Sequence, residues 1–473
     1  MQTPGFTPLS SDLIAALTAI VGTEQITTGG PGLETLSKDF YWYSPVLTDR
    51  IGDRVAAAAV KITDLAQLRQ VVSLAAAHHI PITPRGAATG NYGQSVPLYG
   101  GLVIDLSGMD KIIDLSDGVV TAEPGARLST IENQARPLGW ELRCYPSTWV
   151  KSTIAGFVGG GSGGIGSITH GGLREPGTIK RFKILTVEAE PKIITLEEAE
   201  TMRVFHAYGT NGIIIEVQLR LAPARPWQQL VVAGLEWDPL LDFAAEIAGD
   251  ADVGKRLVSV LENPIGSFFA PIKRFYPTGH HLIFLEVDEA NADAVVARAE
   301  AAGLTVPKRI PYHFPRKPPM LSDYTWNHTT LWALKTDPKW TYVQSGFGDN
   351  YREQFKLLHA KFPGELLFHL EFTRGNAKMG VHNVIACGGI PLVHFKSEAR
   401  LREIIEYCTE IGVFTANPHT CFIEEGGRDL GYDVQVSLKA EADPHSLLNP
   451  GKMKAAPLPA GADPAALPRF LFT

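Results

Sequence analysis

Two glycine-rich segments hold most of the candidate chemistry in this 473-residue chain. The first runs Pro84, Arg85, Gly86, Ala87, Ala88, Thr89, Gly90, Asn91, Tyr92, directly after a short apolar run from Ile80. Successive backbone N–H groups in such a turn can converge on a phosphate, and small side chains let the anion come close. A plain surface turn uses the same residue types, so this segment alone leaves both readings open. The second joins Pro146, Ser147 and Thr148 to the stretch from Ser152 to Gly172, which holds nine glycines in 21 residues. Within it stand Thr153, Gly156, Gly160, Gly161, Ser162, Gly163, Gly164, Gly166 and Ser167. That density of glycine argues against a regular helix or strand, so the stretch reads as loop. Gly161 to Gly166 fits GxGxxG formally. A dinucleotide fingerprint also needs an amphipathic helix behind it, which Ile168-Thr169-His170-Gly171-Gly172 cannot make.

Groups able to move a proton or hold a charge lie further along. Glu425, in Glu424-Glu425-Gly426-Gly427, is a candidate base; its plainer reading is a partner for Arg428. Tyr324-Thr325-Trp326-Asn327-His328 sets two aromatics, an amide and a histidine in one short run. It suits a pocket wall with His328 as its polar head, or else an edge strand packed on the core. Arg374 and Lys335 could take a substrate carboxylate, with arginine preferred for two-point contact. His382, His394, His419 and Glu424 could be gathered around a metal, but each histidine alone reads first as structural, and no metal ligand is assigned.

The elements that must position these groups follow from periodicity. Val55 to Lys61 reads as a strand, and Thr63 or Asp64 caps a helix through His79 with Leu65, Leu68, Val72 and Ala75 facing inward. Ile80–Pro84, Gly101–Asp105, Val119–Glu123, Phe182–Ala189 and Ile213–Leu221 read as strands, and Leu128–Leu138 as a helix. Ala222-Pro223-Ala224-Arg225-Pro226 marks a domain boundary. Beyond it, strands at 227–236, 282–287, 341–347, 366–372 and 391–395 alternate with helices at 240–248, 290–302, 351–361 and 398–412. This is the rhythm of an α+β domain with a sheet covered by helices. The Ala- and Pro-rich tail, 457–467, is expected to wrap loosely.

Composition excludes several classes. Lys+Arg is 43 against Asp+Glu 50, a net charge of -7, with no basic run longer than two residues, which argues against nucleic acid. Apolar runs are strand-length, short of the about 20 residues a membrane helix needs. The first residues lack a secretory signal pattern. Four cysteines without a CxxC pair fit a reducing compartment, so a cytoplasmic protein is expected.

Taken in order, Pro84-Arg85-Gly86 with Thr89, Leu102 to Ser107, Ala122-Glu123-Pro124-Gly125, Pro146-Ser147, Thr153-Ile154-Ala155-Gly156 running into Gly163-Gly164, Tyr208 to Ile214, and Asp443 to Lys452 resemble the FAD-binding domain of the vanillyl-alcohol oxidase / p-cresol methylhydroxylase superfamily. The resemblance implies two α+β subdomains that hold FAD, plus a ferredoxin-like cap. It divides the chain into an FAD-binding domain at 1–225, a cap at 226–422 and a C-terminal return at 423–473. It places Arg85 to Tyr92 and Gly156 to Gly166 around the pyrophosphate and Pro146-Ser147 near the flavin. Gly212, Ile213 and Ile214 would contact the nucleotide, and Asn449 and Lys452 the isoalloxazine. Positions that carry a covalent histidine or cysteine in some members are Thr89 and Tyr145 here, so FAD is expected to be non-covalent.

The likeness is strongest to the D-lactate, glycolate and D-2-hydroxyglutarate dehydrogenases, which implies oxidation of an alcohol, a D-2-hydroxy acid first. A non-acid alcohol, a sugar, a phenolic compound, or service as a flavin electron-transfer subunit are the alternatives. The group's HxGDGNxH metal pattern is absent, Glu425 stands where a histidine would, and no arginine follows Trp326. Oxygen, a quinone or a cytochrome is the expected acceptor, and a homodimer is allowed.

Overall fold

The computed structural model describes residues 9–161, 163–375, 385–426 and 432–472. A four-stranded sheet comes first. Its strands Ala58–Lys61, Leu102–Asp105 and Ile82–Arg85 run parallel, with Leu102–Asp105 between the other two. The crossover is helix Leu65–Ala77, which Asp64 caps by accepting the Gln67 N–H at 2.9 Å. Leu68, Val71, Val72 and Ala75 form its buried stripe against the sheet. The Pro84–Tyr92 loop therefore leaves the carboxyl end of a parallel strand, where α/β sheets place their ligands.

The second sheet runs in the order Ile112–Ser116, Val119–Ala122, Ile213–Pro223, Ile179–Leu185, Ile193–Glu197, with Trp140–Leu142 on the far end of Ile213–Pro223. Against expectation, the glycine-rich stretch contains a helix, Ile154–Gly160. Thr153 caps it by accepting the Gly156 N–H, and Ile154, Phe157 and Val158 are buried. Each glycine costs roughly 1 kcal/mol in a helix. Each of the three apolar side chains regains about 1.5–3 kcal/mol on burial. Gly161, at φ 68°, ends the helix in the left-handed region.

Between 223 and 227 the chain leaves this sheet. Trp227–Gly234 belongs to an eight-stranded antiparallel sheet in the order Thr305–Ile310, Trp227–Gly234, His281–Asp288, Lys255–Leu261, His369–Arg374, Ile385–Gly389, Gln344–Gly346, Phe414–Ala416. Helices Trp237–Gly249, Ala292–Ala301, Tyr351–Lys361 and Glu398–Glu410 pack on one face, over Val258, Val260, Ile283, Leu285, Leu370 and Phe372. Alternation turns Ser259, Glu286 and Glu371 to the other face. There Arg256 pairs with Glu286 at 2.5 Å and approaches Glu141 at 3.5 Å, while Arg136 bonds Glu132 at 2.8 Å. This buried charge network joins the two parts of the chain.

Residues 457–467 are largely exposed, with Leu458 and Leu467 partly packed, while the end of the tail is buried. Phe470 and Leu471 are buried in the core beneath the eight-stranded sheet, and the Tyr99 hydroxyl donates to the Asp463 carbonyl at 3.1 Å. Further back, the Ile82 N–H donates to the Leu447 carbonyl at 2.8 Å, and the Asn449 N–H to the Ile82 carbonyl at 2.6 Å. Among the described residues no helix is long and apolar enough to cross a membrane.

Candidate active site

One cavity of 870 Å³ lies between the two glycine-rich segments and the polar face of the eight-stranded sheet. That is near the upper end of the roughly 300–1,000 Å³ of small-molecule sites. Its wall takes in Pro84 through Tyr92, Pro146 to Thr148, Thr153, Gly156, Gly160, Gly161, Gly163, Ser167, Gly212 and Ile214. Ser162 lies outside the described residues. Gly164, Gly166 and Ile213 stand behind the wall. Ile213 is core, and Gly164 and Gly166 let the loop approach backbone: a Cβ on Gly164 would sit 2.0 Å from the Tyr145 carbonyl oxygen.

Of three charged or amide residues expected at the cofactor, Arg85 is on the wall and Asn449 and Lys452 are not. Arg85 lines the cavity, but its guanidinium turns back to the Leu36 carbonyl and reaches that of Thr35 at 3.3 Å. Asn449 is not on the wall; its Nδ2 donates to the Gln94 carbonyl at 2.8 Å and to the Tyr208 carbonyl at 2.6 Å, tying two loops together. Lys452 is fully buried and donates to the Gly93 carbonyl at 2.6 Å. Burial holds its ammonium below the usual lysine range, with Cys421 and Asp39 opposing that shift. It braces the first loop from behind.

At the two positions of covalent attachment, Thr89 Oγ1 lies 2.9 Å from Ser152 Oγ, which lies 2.8 Å from Thr148 Oγ1. This hydroxyl chain stitches the first segment to the second. Tyr145 points away from the cavity, its hydroxyl taking a hydrogen bond from Arg316 Nη1 at 2.5 Å. Cys144 is buried against Ser167, and burial pushes its thiol up to about 12, which makes it unreactive.

The cap candidates scatter. Arg374 lines the cavity; among the described residues its half-exposed guanidinium is loosely held, 3.5 Å from the Thr169 carbonyl and 4.0 Å from Glu175. Glu425 is off the wall, with Lys454 at 2.6 Å from one oxygen and the Thr420 hydroxyl at 3.0 Å from the other. Arg428 lies outside the described residues. His328 is also off the wall. Its Nδ1 is 3.2 Å from the Asp323 carbonyl, and burial drives the ring down to about 4, so it is neutral. Its neighbours Trp326 and Asn327 do line the cavity, on the turn into helix Asn327–Thr336 rather than on an edge strand. Lys335 lies over the Trp332 ring. His394 bonds Asp337 and His419 bonds Ser44 and the Tyr342 carbonyl, so these two do not converge; His382 lies outside the described residues.

Sequence reasoning misses Glu371, a buried carboxylate on the cavity wall that accepts the Trp326 N–H at 2.9 Å. That bond holds Trp326 at φ 53°, a conformation rare for a bulky residue. Ala88, His206 and Tyr208 also line the cavity with positive φ. Strain of this kind clusters at ligand sites. It leaves no mark in sequence.

The cavity fits FAD. Its loop walls are backbone and small side chains, and three buried polar atoms on it have no hydrogen-bond partner among the described residues: Asn91 Nδ2, Trp326 Nε1 and Asn327 Oδ1. Residues 56–197 match the family described as FAD binding domain. An FAD-linked oxidoreductase of Mycobacterium tuberculosis is 24% identical over 240 residues, 49% of this chain and 50% of that protein. The chain thus matches about half the length of this relative. A D-2-hydroxyglutarate dehydrogenase of Xanthomonas citri pv. viticola is 23% identical over 82% of this chain and 87% of its own. Among solved structures, an alkyldihydroxyacetonephosphate synthase shares the fold, with a TM-score of 0.67 at 16% identity over 96% of this chain and 88% of that one. Residues 56–197 thus match an FAD-binding domain, and over the stretches given the chain is similar to FAD-linked oxidoreductases.

Proposed function

We propose that this chain oxidises the C–OH of a small 2-hydroxy acid, with non-covalent FAD as the acceptor of hydride. The observation that carries the reading is Arg374: a loosely held guanidinium at the end of a cap strand, opening on the cavity between the glycine segments. Arginine suits a carboxylate because its planar fork offers two parallel donors. FAD, when bound, supplies a two-electron acceptor at the isoalloxazine.

The loops from Arg85 to Tyr92 and from Gly156 to Gly163 would hold the pyrophosphate with backbone N–H groups. Asn91, Trp326 and Asn327 would meet its polar edges. Trp326 and the cap sheet cover this side of the cavity and limit water. The relative named as a D-2-hydroxyglutarate dehydrogenase supports the substrate class.

One feature favours a second reading. Tyr92, Trp326 and Ile390 on the wall continue into a buried cluster with Tyr43 and Tyr342, a surface that would suit an alcohol carried on an aromatic ring. Anaerobic reduction of the bound flavin, followed by absorbance against 2-hydroxy acids, neutral alcohols, sugars and aromatic alcohols, separates the two. Bleaching by D-lactate, glycolate or D-2-hydroxyglutarate is expected; bleaching by aromatic alcohols alone would replace the first reading with the second.

A further inference from the structure

We propose that Glu371 accepts the substrate's hydroxyl proton and that His369 positions it, a proposal that rests on the alcohol-oxidising reading above. Glu371 is 3% exposed, yet it lies on the cavity wall. Three groups converge on its Oε1: the Trp326 N–H at 2.9 Å, the Ser259 hydroxyl at 3.0 Å and His369 Nε2 at 2.8 Å. They fix the plane of the carboxylate and leave Oε2 as the oxygen that can take a proton from a bound alcohol. Among the described residues no lysine or arginine pairs with this carboxylate. Glu425, by contrast, has a partner on each oxygen.

His369 acts through Glu371. It is fully buried, and Nε2 also lies 3.3 Å from both Ser259 Oγ and Thr329 Oγ1. Donation to Glu371 requires the Nε2–H tautomer, which leaves Nδ1 bare. Nδ1 is buried and has no hydrogen-bond partner among the described residues, which is compatible with that tautomer. Strand alternation explains the placement. Leu370 and Phe372 face the helices, which turns His369 and Glu371 to the site.

In the step, the substrate O–H bond breaks and its proton moves to Glu371 Oε2. The C–H bond on the same carbon breaks, and its hydrogen leaves with both electrons as hydride for the cofactor. A C=O bond forms. The substrate is oxidised by two electrons, the cofactor is reduced by two, and Glu371 later returns its proton to water.

The test uses the holoenzyme. Glu371→Gln keeps an acceptor for Trp326 and Ser259 but cannot take a proton. FAD content, reduction by dithionite and affinity for the 2-oxo acid product should be unchanged. Flavin reduction by substrate should slow by roughly 10²–10⁴-fold. Glu371→Ala should be as slow and should recover rate with added formate, which a packing defect would not. His369→Gln, which keeps a donor, should retain more of the rate than His369→Leu at equal product affinity.

Glu371→Gln reducing at the wild-type rate, or an alanine variant that folds, binds FAD and ignores formate, overturns the proposal. Wild type reduced only by aromatic or neutral alcohols changes the substrate reading, and Glu371 is then judged on that alcohol. Wild type reduced by no alcohol overturns both.

Discussion

Arg374 and Glu371 are three residues apart on one strand and carry opposite charge, one at the cavity edge and one deep in its wall. A charge-assisted contact to a carboxylate is worth about 1.5–3 kcal/mol. Arg374→Gln should therefore raise KM for a 2-hydroxy acid by roughly 10–100-fold and leave that for a neutral alcohol nearly unchanged. Steady-state kinetics on both substrates check this; equal loss on both would remove Arg374 from substrate binding. Thr89 and Tyr145 fill the two attachment positions with groups engaged elsewhere, by Ser152 and Arg316. FAD should then be released when the protein is precipitated with acid, and yellow colour retained in the pellet would contradict non-covalent binding. The site was unevenly legible at this scale. Small residues in order reveal loops, because a phosphate cradle demands small residues. Glu371 could not be read out, because only the tertiary fold sets it beside Ser259 and Trp326.

The helix Ile154–Gly160 and its following loop show how an element can defeat propensity. Three apolar residues at helical spacing and one threonine cap outweigh the glycines, whose small size keeps the facing wall open. The Tyr145–Ile165 bridge then pins the loop back on itself, and Gly164 makes that approach feasible. Gly164→Val should yield folded protein with much reduced FAD, since its Cβ would meet the Tyr145 carbonyl oxygen at 2.0 Å. Flavin-to-protein absorbance after purification reads this out; full flavin content would remove the loop from the site. Strand Lys255–Leu261 went unseen for a different reason. It opens with Lys255 and Arg256, and such charges lie in a buried strand only when partners such as Glu286 and Glu141 meet them from elsewhere.

For the molecule as a whole, buried neutral histidines set an acid limit. His419 is fully enclosed between Ser44 and the Tyr342 carbonyl, and burial lowers it from 6.5 to about 4. The folded state therefore resists a proton that the unfolded chain takes up. Its contribution is present above pH 6.5 and is lost as pH falls toward about 4, up to about 3 kcal/mol. Denaturant titrations of wild type and His419→Gln should show a shallower loss over that window in the variant, and parallel curves would disprove the assignment. The α+β class and the flavin loops were legible because periodicity and small residues are local; the buried end of the tail was not, because the Ala-Pro composition before it hides which few residues meet the core. The bridge from Ile82 to Leu448 adds a matter of timing. The edge of the first sheet stays unfinished during translation until Leu448 has left the ribosome. At roughly 5–20 residues per second the strand waits on the order of tens of seconds for its partner. A nascent chain cut short before Leu448 would therefore carry the strand that leads into the first glycine loop without its last neighbour.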